Sequence, residues 1–214
     1  MTYDTVIWDF NGTLVDDAML GINAANKMLR DRGLREISGI DEYRERFFFP
    51  VKDYYQSLGF DFDREPYSEL AKEWFTAYLA GEPSLEPMKD AAEALEIVKN
   101  AGLRQIVLSA SESSLLLSQI ERFGFSKYFD DIIGKDDFLA EGKAEGAKRR
   151  LGENNRHCAM IGDTSHDFET AVAIGADPYL YSGGHESGKK LALTGAPVMD
   201  DLRELCRLII SKNM

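Results

Sequence analysis

Three hydrophobic runs in this chain each end in a group able to do chemistry. Val6-Ile7-Trp8 ends in Asp9, Ile106-Val107-Leu108 in Ser109, and Ala159-Met160-Ile161-Gly162 in Asp163. A buried strand that stops at a carboxylate or hydroxyl delivers it to the C-terminal edge of a sheet, where open α/β sheets bind ligands. Gly12 and Thr13 follow Asp9 closely, so the chain turns there. Asp167 stands four residues after Asp163; if that segment turns into a helix, the two carboxylates can approach one point. Oxygen ligands of this kind suit Mg2+, which keeps several waters and bridges to phosphate. Lys143, between the second and third of these runs, can supply a fixed cation. With Asp9 as a nucleophile, this set points to attack on an anionic substrate.

The elements that must position these groups alternate over most of the chain. Residues 5–8, 105–109, 131–134 and 157–162 read as strands, with shorter ones near 179–181 and 198–199. Helices are expected over 91–101, 113–123, 143–151, 167–174 and 200–211, where apolar residues recur at helical spacing. Such alternation implies a parallel sheet with helices on both faces. The exception is the stretch from Asp16, where Asp16 and Asp17 can cap a helix, to about Glu86. Tyr43, Phe47, Tyr54, Leu70, Trp74 and Tyr78 recur there at helical spacing, Pro50 and Pro66 punctuate, and no strand-like alternation occurs. The expected architecture is therefore α/β: a Rossmann-like parallel-sheet core from residues 1–15 and 87–214, with a small all-helical domain, 16–86, inserted after the first strand.

Composition narrows the partners. The 214 residues are 44% hydrophobic and 29% charged, enough for a sizeable soluble core, and the net charge of -12 repels nucleic acid and anionic membrane. An acidic protein that takes an anionic substrate needs a local positive site. Cys158 and Cys206 lie in apolar contexts and read as buried thiols, which fits a reducing cytoplasm. Neither a signal peptide nor a transmembrane span is expected. A monomer or homodimer is the expected assembly.

Asp9-Phe10-Asn11-Gly12-Thr13-Leu14, Ser109, Lys143, and Gly162-Asp163-Thr164 with Asp167 together resemble the four ordered motifs of the haloacid dehalogenase superfamily. The resemblance covers the whole chain, and the helical insert is similar to the cap of its phosphoglycolate-phosphatase-like branch. It implies a phosphatase of small phosphorylated metabolites in which Asp9 attacks phosphorus and forms an aspartyl-phosphate. It also implies Mg2+ held by Asp9, the backbone carbonyl of Asn11 and Asp163, with support from Asp167. Ser109, Lys143 and backbone amides around Gly12, Thr13 and Ala110 would hold the phosphoryl oxygens. Ser111 competes with Ser109 for its role because Ala110 lies between them, and Lys135 and Lys148 compete with Lys143.

Asn11 departs from that pattern. Most phosphatases of the superfamily carry an aspartate there as general acid and base. An amide can do neither, and loss of such a group typically costs roughly 10²–10⁴-fold in rate. Good leaving groups suffer least. Two further readings follow. One is cleavage of a carbon–phosphorus bond in the manner of phosphonoacetaldehyde hydrolases, with Lys52, beside Phe48-Phe49-Pro50, as a Schiff-base lysine. The other is a phosphate-binding or regulatory protein whose catalysis faded when position 11 became Asn. A cap Lys52 that recognises a substrate anion is the commoner arrangement. Dehalogenation would leave the metal-site acids unexplained.

Overall fold

A computed structural model of the chain describes residues 2–135, 142–151 and 157–213. Its centre is a six-stranded parallel sheet, β1 (Thr5–Trp8), β2 (Arg104–Leu108), β3 (Asp131–Ile133), β4 (Cys158–Gly162), β5 (Asp177–Tyr181) and β6 (Val198–Met199), in the order β3-β2-β1-β4-β5-β6. β1 lies in the middle, with Trp8 level with Val107 of β2 and with Ile161 of β4. The strand order reverses between β1 and β4. That is the switch point at which such sheets open a crevice for ligands, and Asp9 and Asp163 stand on its two sides. The Rossmann-like α/β class expected from the sequence is the one found.

The central strands are buried on both faces, so they read as continuous apolar runs rather than as alternation. Val6, Trp8, Val107 and Ile161 face one layer, formed by α5 (Ala91–Asn100), α6 (Ser113–Arg122) and α10 (Leu202–Ser211). Ile7, Ile106, Leu108 and Met160 face the other, with α7 (Gly142–Leu151) and α8 (Ser165–Ile174). The indole of Trp8 donates to Gln105 Oε1 at 3.0 Å, and Gln105 Nε2 donates to the Leu95 carbonyl at 3.1 Å, so these two buried polar side chains are paired.

Between β1 and α5 lie α1 (Ala18–Asp31), α2 (Ile40–Arg46), α3 (Val51–Ser57) and α4 (Tyr67–Gly81). They enclose a hydrophobic cluster of their own, centred on Ile22, Met28, Tyr54 and Leu70. Pro50 and Pro66 stand at the N-caps of α3 and α4, where a missing N–H costs nothing. One helix was not expected: α9 (Gly188–Ala192), five residues long with Leu191 alone buried, too short to show a period. His157 falls outside β4 and Ser109 just past β2. Both cysteines are buried and neither is in a disulfide, and no helix among the described residues is long and apolar enough to cross a membrane.

Candidate active site

The strand ends converge as their register requires. Asp9 donates its backbone N–H to the Ile161 carbonyl at 2.8 Å, which brings it level with the end of β4. Lys143, in the first turn of α7, reaches across the edge. Its ammonium donates to Asp9 Oδ1 and, at 2.6 Å, to Asp167 Oδ1. Lys135 is exposed, and Lys148 pairs with Glu145 at 3.0 Å, so Lys143 is the lysine that reaches the edge. Asp167 is oriented by the start of α8. Thr164 is the N-cap and accepts from the Asp167 N–H at 3.2 Å, while Asp167 Oδ2 accepts from the Thr164 N–H at 3.1 Å and hydroxyl at 2.6 Å. This reciprocal cap fixes both the helix start and the carboxylate.

Asp163 is wholly buried. Its Oδ1 accepts from the Thr13 hydroxyl at 3.0 Å and its Oδ2 from the backbone N–H of His185 at 2.6 Å. Gly12, at φ +76°, packs so tightly that a Cβ there would collide with the Asp163 carboxylate and the His185 ring. Thr13, expected near the phosphoryl group through its amide, spends its hydroxyl on Asp163.

Asp9, Asp163 and Asp167 each offer an oxygen within 4.8 Å of the others. Burial, followed by the charge of Asp167, pushes the Asp9 carboxyl well above its usual range. Burial, again with Asp167, pushes Asp163 up to about 7. Burial would raise Asp167 as well, but the Lys143 ammonium outweighs it and holds that carboxyl low. Lys143 bonds only two of these three buried carboxylates, Asp9 and Asp167, so the cluster is short of positive charge. An all-oxygen donor set of this kind fits a hard divalent cation.

The hydroxyls gather on Asn11. Its Oδ1 accepts from Ser111 Oγ at 2.6 Å and lies 3.5 Å from Ser109 Oγ, which in turn accepts from the Ser111 N–H at 3.1 Å. Both serines therefore reach the site, Ser109 fully buried and Ser111 half-buried, with Ala110 exposed between them. The other end of the amide, Nδ2, donates to Asp17 Oδ2 at 2.8 Å and to the Tyr78 hydroxyl at 3.3 Å.

Asp17 is a site residue that the sequence reading took for a helix cap. It does occupy the N-cap of α1, but its side chain makes no capping bond. Its Oδ2 also accepts from Tyr78 at 3.1 Å, and its Oδ1 faces His185 Nε2 at 3.2 Å. His185 was missed altogether. Burial would lower its imidazole, but the Asp17 carboxylate outweighs burial and raises it to about 9. Its Nδ1 pairs with the Tyr43 hydroxyl at 2.9 Å. The signal for this loop lay in Gly183-Gly184, since a Cβ on Gly184 would strike Asp163 and the Gly12 carbonyl.

Lys52 is not among the residues brought together. It is exposed at the start of α3, with its ammonium 5.7 Å from the centroid of Phe62. The neighbouring aromatics instead form a seam between the helical block and the sheet edge. Phe49 stacks on His166 at 4.8 Å, and Phe47 packs 5.7 Å from His185. Arg44 Nε donates to the Gly184 carbonyl at 2.8 Å and its Nη2 to Gly183, while Lys190 donates to the Phe47 carbonyl.

Residues 6–179 match a family described as haloacid dehalogenase-like hydrolase. The phosphoglycolate phosphatase of Aquifex aeolicus is 26% identical over 84% of this chain and 85% of its own length. That of Caulobacter vibrioides is 26% identical over 85% and 80%. Among solved structures, a haloacid dehalogenase-like hydrolase from Streptococcus pneumoniae superposes with a TM-score of 0.82 at 18% identity, covering 96% of this chain and 98% of that one, which shows a shared fold.

Proposed function

The chain belongs to the haloacid dehalogenase-like hydrolase family, and from that premise we propose that it is a Mg2+-dependent phosphatase of small phosphorylated metabolites, with Asp9 as nucleophile. The observation that carries the reading is the Asp9–Asp163–Asp167 cluster, in which Lys143 bonds Asp9 and Asp167. Asp9, the backbone carbonyl of Asn11 and Asp163 would hold the cation, with Asp167 in support. When bound, Mg2+ supplies positive charge to the transferring phosphoryl oxygens.

The chain's own residues do the rest. Lys143 orients Asp9 and neutralises part of the charge that builds on the phosphoryl group. One Asp9 oxygen forms a bond to phosphorus as the bond to the leaving oxygen breaks, giving an aspartyl-phosphate; water then attacks phosphorus and restores the carboxylate. Ser109 and Ser111 donate toward Asn11 Oδ1 and can turn toward phosphoryl oxygens. The Asn11 amide positions these hydroxyls but transfers no proton, so the leaving oxygen must depart as an anion or take its proton from water. Phenolic and acyl phosphates should therefore turn over faster than alkyl ones. Residues 16–86 act as a cap over the core of 1–15 and 87–214, and close over the substrate's remote end. Two relatives are named phosphoglycolate phosphatases, which makes small phosphorylated carboxylates the first compounds to assay.

The test is hydrolysis of p-nitrophenyl phosphate and acetyl phosphate with and without Mg2+. Wild type should turn over both only with the metal, and Asp9→Asn should abolish turnover. No turnover of either compound by the metal-loaded wild type, or full activity in Asp9→Asn, would sink the reading. Borohydride trapping with phosphonoacetaldehyde should leave Lys52 unlabelled; labelling there would favour carbon–phosphorus cleavage instead.

A further inference from the structure

We infer that Asp17 dictates an amide at position 11, and that the two positions form one hydrogen-bonded unit of a carboxylate and an amide. Asp17 is 4% exposed, and its Oδ2 sits 2.8 Å from Asn11 Nδ2. A carboxylate only accepts hydrogen bonds, so the end of residue 11 that faces it must donate. The other end must accept, because Ser111 Oγ donates to it at 2.6 Å. Asparagine meets both demands in one orientation. Aspartate at position 11 would set two carboxylates against each other in a buried pocket. There the Tyr78 hydroxyl already serves Asp17 at 3.1 Å, and His185 Nε2, at 3.2 Å, is the cation that faces it. A second carboxylate there could not donate to Asp17, so the 2.8 Å bond would be lost and two acceptors would face each other. Asp17 Oδ1 receives no aligned hydrogen bond, so among the described residues the Asp17 side of the pocket is already short of donors.

The reversed arrangement is nearly isosteric. An amide at position 17 can donate to a carboxylate at position 11 and present its oxygen to His185, while Ser111 continues to donate. The pair should therefore tolerate exchange but not duplication. Asp17 is a positioning residue here, since it acts on the site through Asn11. The consequence for turnover rests on the phosphatase reading; the pairing itself does not.

The experiment is a double-mutant cycle of wild type, Asn11→Asp, Asp17→Asn and the exchanged double variant. Thermal unfolding is measured in metal-free buffer, and p-nitrophenyl phosphate hydrolysis with Mg2+. Asn11→Asp alone should lose several degrees of Tm and gain no activity. The double variant should recover most of that Tm and raise kcat roughly tenfold or more above Asn11→Asp, with KM little changed. Tm losses that simply add, or an Asn11→Asp variant as stable as wild type, overturn the inference. If Asn11→Asp does not fold, a folded double variant supports the pairing and an unfolded one overturns it. If none of the four turns substrate over, the phosphatase reading fails while the Tm cycle still decides the pairing.

Discussion

Lys143 bonds two of the three buried carboxylates, Asp9 and Asp167, and leaves Asp163 to one hydroxyl and one backbone N–H. Removing it strands two largely buried carboxylates without their cation. Lys143→Met should cost about 3–5 kcal/mol of stability in metal-free buffer, read by urea unfolding, and should abolish turnover; stability within 1 kcal/mol or so of wild type would show that the carboxylates are neutral without it. The same shortage of charge predicts that Mg2+ raises the Tm of wild type. A ligand that binds only the folded form at about 100 times its Kd adds roughly 2.7 kcal/mol, and EDTA should reverse the shift. These groups were legible in the sequence because each sits where a hydrophobic run stops or where a motif repeats a known spacing. Asp17 and His185 were not, because their partnership is formed by turns far apart in the chain, after β1 and after β5, and no local pattern joins them.

The element that matters most to the site is α8, because one cap serves two purposes. Thr164 starts the helix and orients Asp167. Beside it, the buried carboxylate of Glu186 accepts from the Ser165 N–H at 3.1 Å and hydroxyl at 3.0 Å, placing negative charge at the helix N-terminus. Thr164→Ala should cost about 1 kcal/mol in stability and, by freeing Asp167, lower kcat more than that loss of stability explains. A kcat equal to that of wild type would mean that Lys143 and the backbone N–H of residue 164 hold Asp167 without the hydroxyl. Elements on this scale were the readily legible part of the chain. The central strands are pure apolar runs, and the amphipathic α5, α6 and α10 repeat their buried residues at regular spacing. Limits shifted by a few residues where capping decides them: α8 begins at Ser165 because Thr164 caps it, and α10 at Leu202 because Asp201 accepts from the Arg203 N–H at 2.8 Å.

At the scale of the molecule, the helical block with its own core meets the sheet edge along a seam that the sequence did not foretell, since the loop of residues 183–187 carries no periodicity at all. Helix α2 grips that loop from one side: Arg44 donates to the Gly183 and Gly184 carbonyls, and Ser187 donates back to the Arg44 carbonyl at 3.2 Å. From the other side, the next residue of the same loop, His185, donates its N–H to Asp163 at 2.6 Å. The loop is thus a short mechanical link between the helical block and a carboxylate of the cluster. Arg44→Ala removes the two guanidinium bonds of this grip, leaving the backbone one, without touching the cluster. Its cost in global stability should be small, about 1–2 kcal/mol for the lost bonds to the carbonyls of half-buried Gly183 and buried Gly184. Its local effect should be larger: amide hydrogen exchange should rise at residues 43–49 and 183–187 together, and the Mg2+-induced Tm shift should shrink because Asp163 is less firmly held. Faster exchange in residues 43–49 alone, with the metal response intact, would mean that the block and the loop move independently and that the seam only covers the site.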